Sequence, residues 1–155
     1  MKRVGDVVFG ADEEITLWVS KRIPGFEIKE DARALGIIKD NELVAGCVYD
    51  GYNGVHCQGS IAAVEGSRWA DRRTMFALFF YPFVTLNCKA VSACAASTNL
   101  PSLNLLTKMG FQPEALVKYA AHDASTLVVM KMYRENCKWI GRNGQRQQKQ
   151  DTGST

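Results

Sequence analysis

No apolar run in this chain is long enough to cross a bilayer. The longest, Met75 to Leu86, falls short of the roughly 20 residues a spanning helix needs, and Pro82 interrupts it. The opening residues, MKRVGDVVFGADEE, lack the apolar core of a secretion signal, so cytoplasmic residence without a membrane partner is the expectation. Histidine is scarce: there are two, far apart. The five cysteines, Cys47, Cys57, Cys88, Cys94 and Cys137, include no C-x-x-C pair. An odd count without metal-ligand spacing is expected of reduced, mostly buried thiols, so no metal site is expected. Nor is there a large excess of either charge, with 19 Lys and Arg against 16 Asp and Glu. The formal net charge is only +3. Much of that excess lies in Arg134, Lys138, Arg142, Arg146 and Lys149, and so short a basic tail makes a nucleic-acid partner unlikely on sequence grounds.

What is present suffices for one domain with a sizeable core. The chain has 155 residues and is 46% hydrophobic. Its organising stretch is Ala90 to Phe111, AVSACAASTNLPSLNLLTKMGF. Ala90 to Ala96 is small and β-branched and fits a buried strand. Asn99 is a good helix N-cap, and Pro101 sits in the first turn, where a missing N–H costs nothing. Ser102, Leu105, Leu106 and Met109 fall at i, i+3, i+4, i+7, one face of a short helix. Gly110 stops it, and Phe111 begins another extended run.

The remaining segments follow from pattern. Val4 to Phe9 reads as a first strand, and Asp12 as the cap of an amphipathic helix carrying Ile15, Trp18 and Val19 and ending near Pro24-Gly25. Phe26 to Asp31 reads as a loop or one helical turn. Ala34 to Lys39 and Leu43 to Tyr49 read as a hairpin about Asp40-Asn41. A third strand, Val55 to Val64, follows the turn cluster Asp50 to Gly54. Asp71 to Leu86 is apolar almost all round, which predicts a largely buried helix that Pro82 kinks or ends. Phe111 to Tyr119 and Ser125 to Met132 form a last pair, turning at His122-Asp123. The predicted fold class is α/β with order β-α-β-β-β-α-β-α-β-β. Residues 1–140 form the domain, and 141–155 are expected to be a disordered polar tail.

Asn99, Ser102, Leu105, Lys108, Gly110 and Phe111 match the pattern N-x-x-[SA]-x-x-L-x-x-K-x-G-F, and Glu114 extends it as G-F-x-x-E. In these residues the chain resembles the GCN5-related N-acetyltransferases, and most closely their ribosomal-protein acetyltransferase-like branch with its phage and prophage relatives. The resemblance covers roughly Val4 to Ile140. It implies the acyl-CoA N-acyltransferase fold, with acetyl-coenzyme A lying between two splayed parallel strands. Its pantetheine amides would pair with the strand edge that includes Val64. Its diphosphate would meet the N-terminus of the helix that begins near Asp71. The family loop [QR]-x-x-G-x-[GA] keeps its leading Arg68 here, while Asp71 and Arg73 replace the two small residues. The implied cofactor contacts are therefore Val64, Arg68, Asp71, Arg72, Arg73, Thr74, Asn99 and Ser102. Arg72 and Arg73 compensate through charge-assisted bonds, or else form, with Arg68, a solvated basic edge.

The same resemblance suggests chemistry. Ser102 is a candidate to protonate the departing thiolate, or simply a small helix residue. The family's usual tyrosine is replaced by Leu106, which cannot donate a proton. Glu65 is the first candidate to accept the amine proton, against a plain surface glutamate, with His122 and Asp123 behind it. Asn99 steadies the pantetheine end, or only caps the helix. His56 reads as a satisfied core or edge residue, Lys108 as a charge matched to its helix terminus, and Trp69, Phe76, Phe80 and Phe111 as core aromatics. The implied activity is transfer of acetyl from acetyl-coenzyme A to a primary amine: a protein N-terminus, a lysine or a small amine. A non-catalytic protein with the same fold, such as a virion component or host-factor binder, is the alternative. Self-pairing into a homodimer is left open.

Overall fold

The computed structural model describes residues 1–146. Eight strands form one sheet in the spatial order β1-β2-β3-β4-β5-β6-β8-β7. They are β1 Lys2–Val4, β2 Val7–Phe9, β3 Arg33–Lys39, β4 Glu42–Asp50, β5 His56–Ala63, β6 Ala90–Ala96, β7 Gln112–Val117 and β8 Leu127–Tyr133. The α-helices are α1 Asp12–Ser20, α2 Arg72–Phe80, α3 Leu100–Met109 and α4 Gly141–Gln145. All strand pairs are antiparallel except β5 with β6, which are joined by the crossover through α2.

The two faces are covered differently. α1 lies on one face, with Ile15 and Val19 packed among Val8, Ala34, Val48 and Ala62. Close approach is possible because Gly36 and Gly46 present no side chain. A Cβ on Gly46 would sit 2.8 Å from Val19 Cγ2, and one on Gly36 2.9 Å from Ile15 Cδ1. α2 and α3 cover the other face, where Met75, Leu78, Phe79, Leu106 and Met109 meet Leu35, Ile37, Cys47, Val91 and Met130. Phe79 and Phe83 are almost wholly buried, and each contributes about 1.5–3 kcal/mol of burial free energy.

Four expectations need correction. The first strand is a hairpin, β1 and β2, because Gly5 takes a positive φ of 59° and turns the chain between them. Asp12 does not cap α1. The N-cap is Ala11, and Asp12 Oδ1 instead accepts the Ala34 N–H at 2.8 Å, fastening the helix start to β3. The helix over Asp71–Leu86 gives way at Pro82 as expected, but it is not buried on all sides. α2 ends at Phe80, and Pro82 lies in a widened π turn, Tyr81–Thr85, where Leu86 N–H reaches Tyr81 O at 2.9 Å. Phe76 and Phe80 are exposed and line an apolar groove of about 620 Å³ between α2 and the β1–β2 edge. Finally, residues 141–145 of the expected tail form α4. The Gln145 side chain donates to Cys137 O, and Arg134 Nε to Gly144 O. The rest of that tail lies outside the described residues.

α1 ends at Ser20, short of Pro24-Gly25, while several other boundaries agree closely. The β3–β4 turn has Asp40 and Asn41 both at positive φ, 51° and 64°. β6 spans Ala90–Ala96, Asn99 caps α3 and Gly110 ends it at φ 112°.

Candidate active site

The site begins with what β5 and β6 fail to do. They pair only at His56 with Ala90, Cys57 with Val91 and Gln58 with Ser92. Beyond that point β5 pairs only with β4, through Ala63, and β6 only with β8, through Ala96. The parallel strands therefore splay towards their C-terminal ends. Backbone groups alternate between neighbours along a strand. Val64 N–H donates to Val44 O at 2.8 Å, towards β4, so Ile61 and Ala63 present their amide edges to the gap. These two positions escaped the sequence reading, which pointed to Val64. Only the register could reveal them. Cys94, on the opposite lip, is exposed between buried Ala93 and Ala95, while the other four cysteines are buried.

The mouth of the gap has walls. The β7–β8 loop is anchored beside it by Asp123, which accepts from Ser125 N and Oγ and from Thr98 Oγ1 at 2.6 Å. These bonds, Ser125 first, hold the Asp123 carboxyl far below its ordinary range, and they identify it as a loop fastener. The loop after α1 comes across to meet this one: a Cβ on Gly25 would lie 3.5 Å from His122 Cβ.

α2 starts at the same end. Asp71 is its N-cap and accepts Thr74 N–H at 2.8 Å. Its other oxygen lies 3.6 Å from Lys39 Nζ, which is 2.6 Å from Asp6. The Thr74 amide, then Lys39, keep the Asp71 carboxyl below its ordinary pKa, so the helix start already carries an anion. The buried Thr74 hydroxyl donates to Trp69 O at 2.7 Å and so braces the loop rather than facing solvent. The N–H groups of Arg72 and Arg73, in the first turn, have no helical acceptor. Arg68, Arg72 and Arg73 are all exposed. Arg73 leans over the β1–β2 turn, where a Cβ on Gly5 would lie 3.8 Å from its Nη1, and it lines the apolar groove.

α3 starts on the far side of the gap. Asn99 Oδ1 accepts Ser102 N–H at 3.3 Å, and Ser102 is half-buried in the first turn. Leu106 is in the core. Glu65 is exposed in the turn after β5, where Gly66 takes φ 79°. Glu65, Arg68, Arg72, Asn99 and Ser102 thus all fall in the segments that follow the C-terminal ends of β5 and β6. His56 lies apart, at the paired end. Its Nε2 is 2.6 Å from Ser92 Oγ, and burial, then Lys131, lowers its pKa. Nearby, Glu114 accepts from Tyr133 and lies 3.5 Å from Lys131, an exposed structural cluster.

No family model matches the sequence, and no curated protein matches it. Solved structures do. A spermidine N-acetyltransferase SpeG chimera of Vibrio cholerae and hSSAT shares 13% identity, with TM-score 0.69 over 86% of this chain and 98% of that one. The ribosomal-protein-S5-alanine acetyltransferase of Vibrio fischeri shares 14%, with TM-score 0.58 over 70% and 63%, so this chain spans less than two thirds of it. The N-acetyltransferase PseH of Campylobacter jejuni, solved in complex with acetyl coenzyme A, shares 12%, with TM-score 0.52 over 68% and 70%. At these identities the likeness establishes architecture, and the chain has the acyl-CoA N-acyltransferase fold.

Proposed function

We propose that the protein is an N-acetyltransferase that moves acetyl from acetyl-coenzyme A to a primary amine in one ternary complex. The observation that carries this reading is the splay of β5 from β6 beyond Gln58 and Ser92. It leaves Ile61 and Ala63 as an unpaired edge of the kind an extended diamide chain completes. On this reading Arg68 and Arg72, with the free N–H groups of Arg72 and Arg73, hold the diphosphate, and Asn99 steadies the cleft at the α3 end. Asp71 and Thr74 shape that helix start. The acceptor amine enters between the loop after α1 and the β7–β8 loop. Glu65 takes its proton, directly or through water, and the nitrogen attacks the thioester carbonyl. The carbon–sulfur bond breaks, and Ser102 donates a proton to the thiolate. The acceptor is a protein N-terminus, a lysine or a small amine. The Asn99–Glu114 motif favours the ribosomal-protein acetyltransferase-like branch, and cytoplasmic residence goes with it.

A ligand that binds only the folded state raises the melting temperature. Acetyl-coenzyme A at millimolar concentration is expected to do so by several degrees. Arg72→Glu is expected to reduce that shift more than Arg142→Glu, and equal effects would remove the diphosphate assignment. One observation favours a non-catalytic protein with the same fold: the Asp71 carboxylate occupies the helix start where the diphosphate would sit. Absence of any thermal shift would support that second reading.

A further inference from the structure

At the closed end of the sheet, away from the splayed gap, lies a second cavity of about 240 Å³. It is bounded by Asp31, Asp50, Tyr49, Tyr52, Tyr81 and Leu86 among others. Asp50 ends β4, and its side chain is 7% exposed. No hydrogen bond to its carboxylate occurs among the described residues. Its nearest cation is Lys29 Nζ at 4.0 Å, on a side chain 46% exposed. A carboxylate taken this far out of water costs free energy unless paired and hydrogen-bonded. Here neither condition is well met. Burial raises the Asp50 pKa, Lys29 opposes the rise, and Asp31 and Glu27 add to it.

Most of the other polar lining groups are engaged. Asp31 Oδ2 accepts the N–H groups of Gly51 and Tyr52. Arg33 Nη1 donates to Ala32 O, and its Nε faces Asp12 at 3.9 Å. Tyr52 OH donates to Leu86 O at 2.9 Å, tying the loop after β4 to the π turn and closing one side. Tyr49 OH is bound to Leu78 O, so that residue presents its ring, which lies 5.4 Å from the Tyr81 ring. An anionic floor between phenol rings suits a cation, since ring faces are electronegative.

We propose that this cavity binds a small organic ammonium ion, held by Asp50 and walled by Tyr49, Tyr52 and Tyr81, with Lys29 as the intrinsic cation it displaces. The site is separate from the acceptor position proposed above and does not depend on catalysis. The volume admits a few heavy atoms beyond the nitrogen, given a share of about 30 Å³ per water-sized group.

The test is calorimetric titration with ethylammonium chloride, using sodium propanoate and ethanol as charge-reversed and neutral probes. Ethylammonium is expected to bind one to one, while the other two give no saturable heat. Asp50→Asn is expected to abolish binding while keeping the thermal shift with acetyl-coenzyme A. Lys29→Met, at an exposed position, removes the internal competitor and is expected to tighten binding about fivefold or more, a change within the reach of one charge contact. Ethylammonium binding that survives Asp50→Asn, or that is no tighter in Lys29→Met, overturns the proposal. So does equal binding of propanoate. Loss of the acetyl-coenzyme A shift with ethylammonium binding intact would instead count against the acetyltransferase reading alone.

Discussion

Asp71 shows how one side chain can serve the fold while working against a ligand. Its carboxylate caps α2 through the Thr74 amide and also places negative charge where a diphosphate would approach. Asparagine caps a helix about as well as aspartate. Asp71→Asn is therefore expected to leave urea stability within about 0.5 kcal/mol while tightening acetyl-coenzyme A binding severalfold, read by calorimetry. Weaker binding in the variant would mean that the charge orients Arg72 or Lys39 productively. The sequence showed that Asp71 and Arg73 depart from the family loop. It did not show that Arg73 leans towards Gly5 or that Thr74 is buried, because side-chain direction at a helix start depends on what packs beneath it. Trp69 and Phe111 are core residues as read, whereas Phe76 and Phe80 face the groove. Aromatic spacing alone could not separate these pairs, since among the described residues no element covers the outer face of α2.

At the scale of elements, the α3 caps and the β3–β4 turn were legible because they are local chemistry. Asn99, Gly110 and the Asp40-Asn41 turn specify their own backbone geometry within a few residues. The hairpin at the N-terminus was not, because a run as short as Val4 to Phe9 satisfies one strand or two, and only pairing with β3 decides. The glycines that seat α1 were also silent in sequence. Gly36 and Gly46 lie within strands, where glycine ordinarily weakens the element. Their role is close approach: a methyl group at Gly46 would meet Val19 at 2.8 Å and Ile15 at 3.1 Å. Gly46→Ala is expected to push α1 outward and to cost about 1–3 kcal/mol, read as a lower urea midpoint. Because α1 leads into the loop that reaches His122, the same variant is expected to disturb the mouth of the gap more than the α2 end. Amide exchange at residues 118–126 would report that directly, and unchanged exchange there would uncouple α1 from the mouth.

For the whole molecule, the question is where the domain ends. Composition suggests residue 140, since no aliphatic or aromatic side chain follows Ile140. The structure carries a short helix past that point, Gly141–Gln145, and a polar contact holds it. Arg134 is 5% exposed, and no carboxylate pairs with it among the described residues. Neutral acceptors meet part of its demand instead: Gly144 O for Nε at 2.7 Å and Asn87 Oδ1 for Nη1, with Nη2 left unpaired. Asn87 adopts a positive φ of 57° just before β6, so this arginine joins α4, the π turn and the start of the strand that lines the gap. Hydrogen bonds to a charged group are worth about 1.5–3 kcal/mol, and a buried donor deprived of its acceptor adds a desolvation cost. A chain ending at Ile140 is therefore expected to melt several degrees below the 155-residue chain, at about 2–4 °C per kcal/mol for a domain of this size. Arg134→Met in the shortened chain is expected to recover part of the loss, because an apolar side chain leaves no orphaned charge behind. A shortened chain that melts with the 155-residue chain would place the boundary where composition put it and leave α4 without a stabilising role.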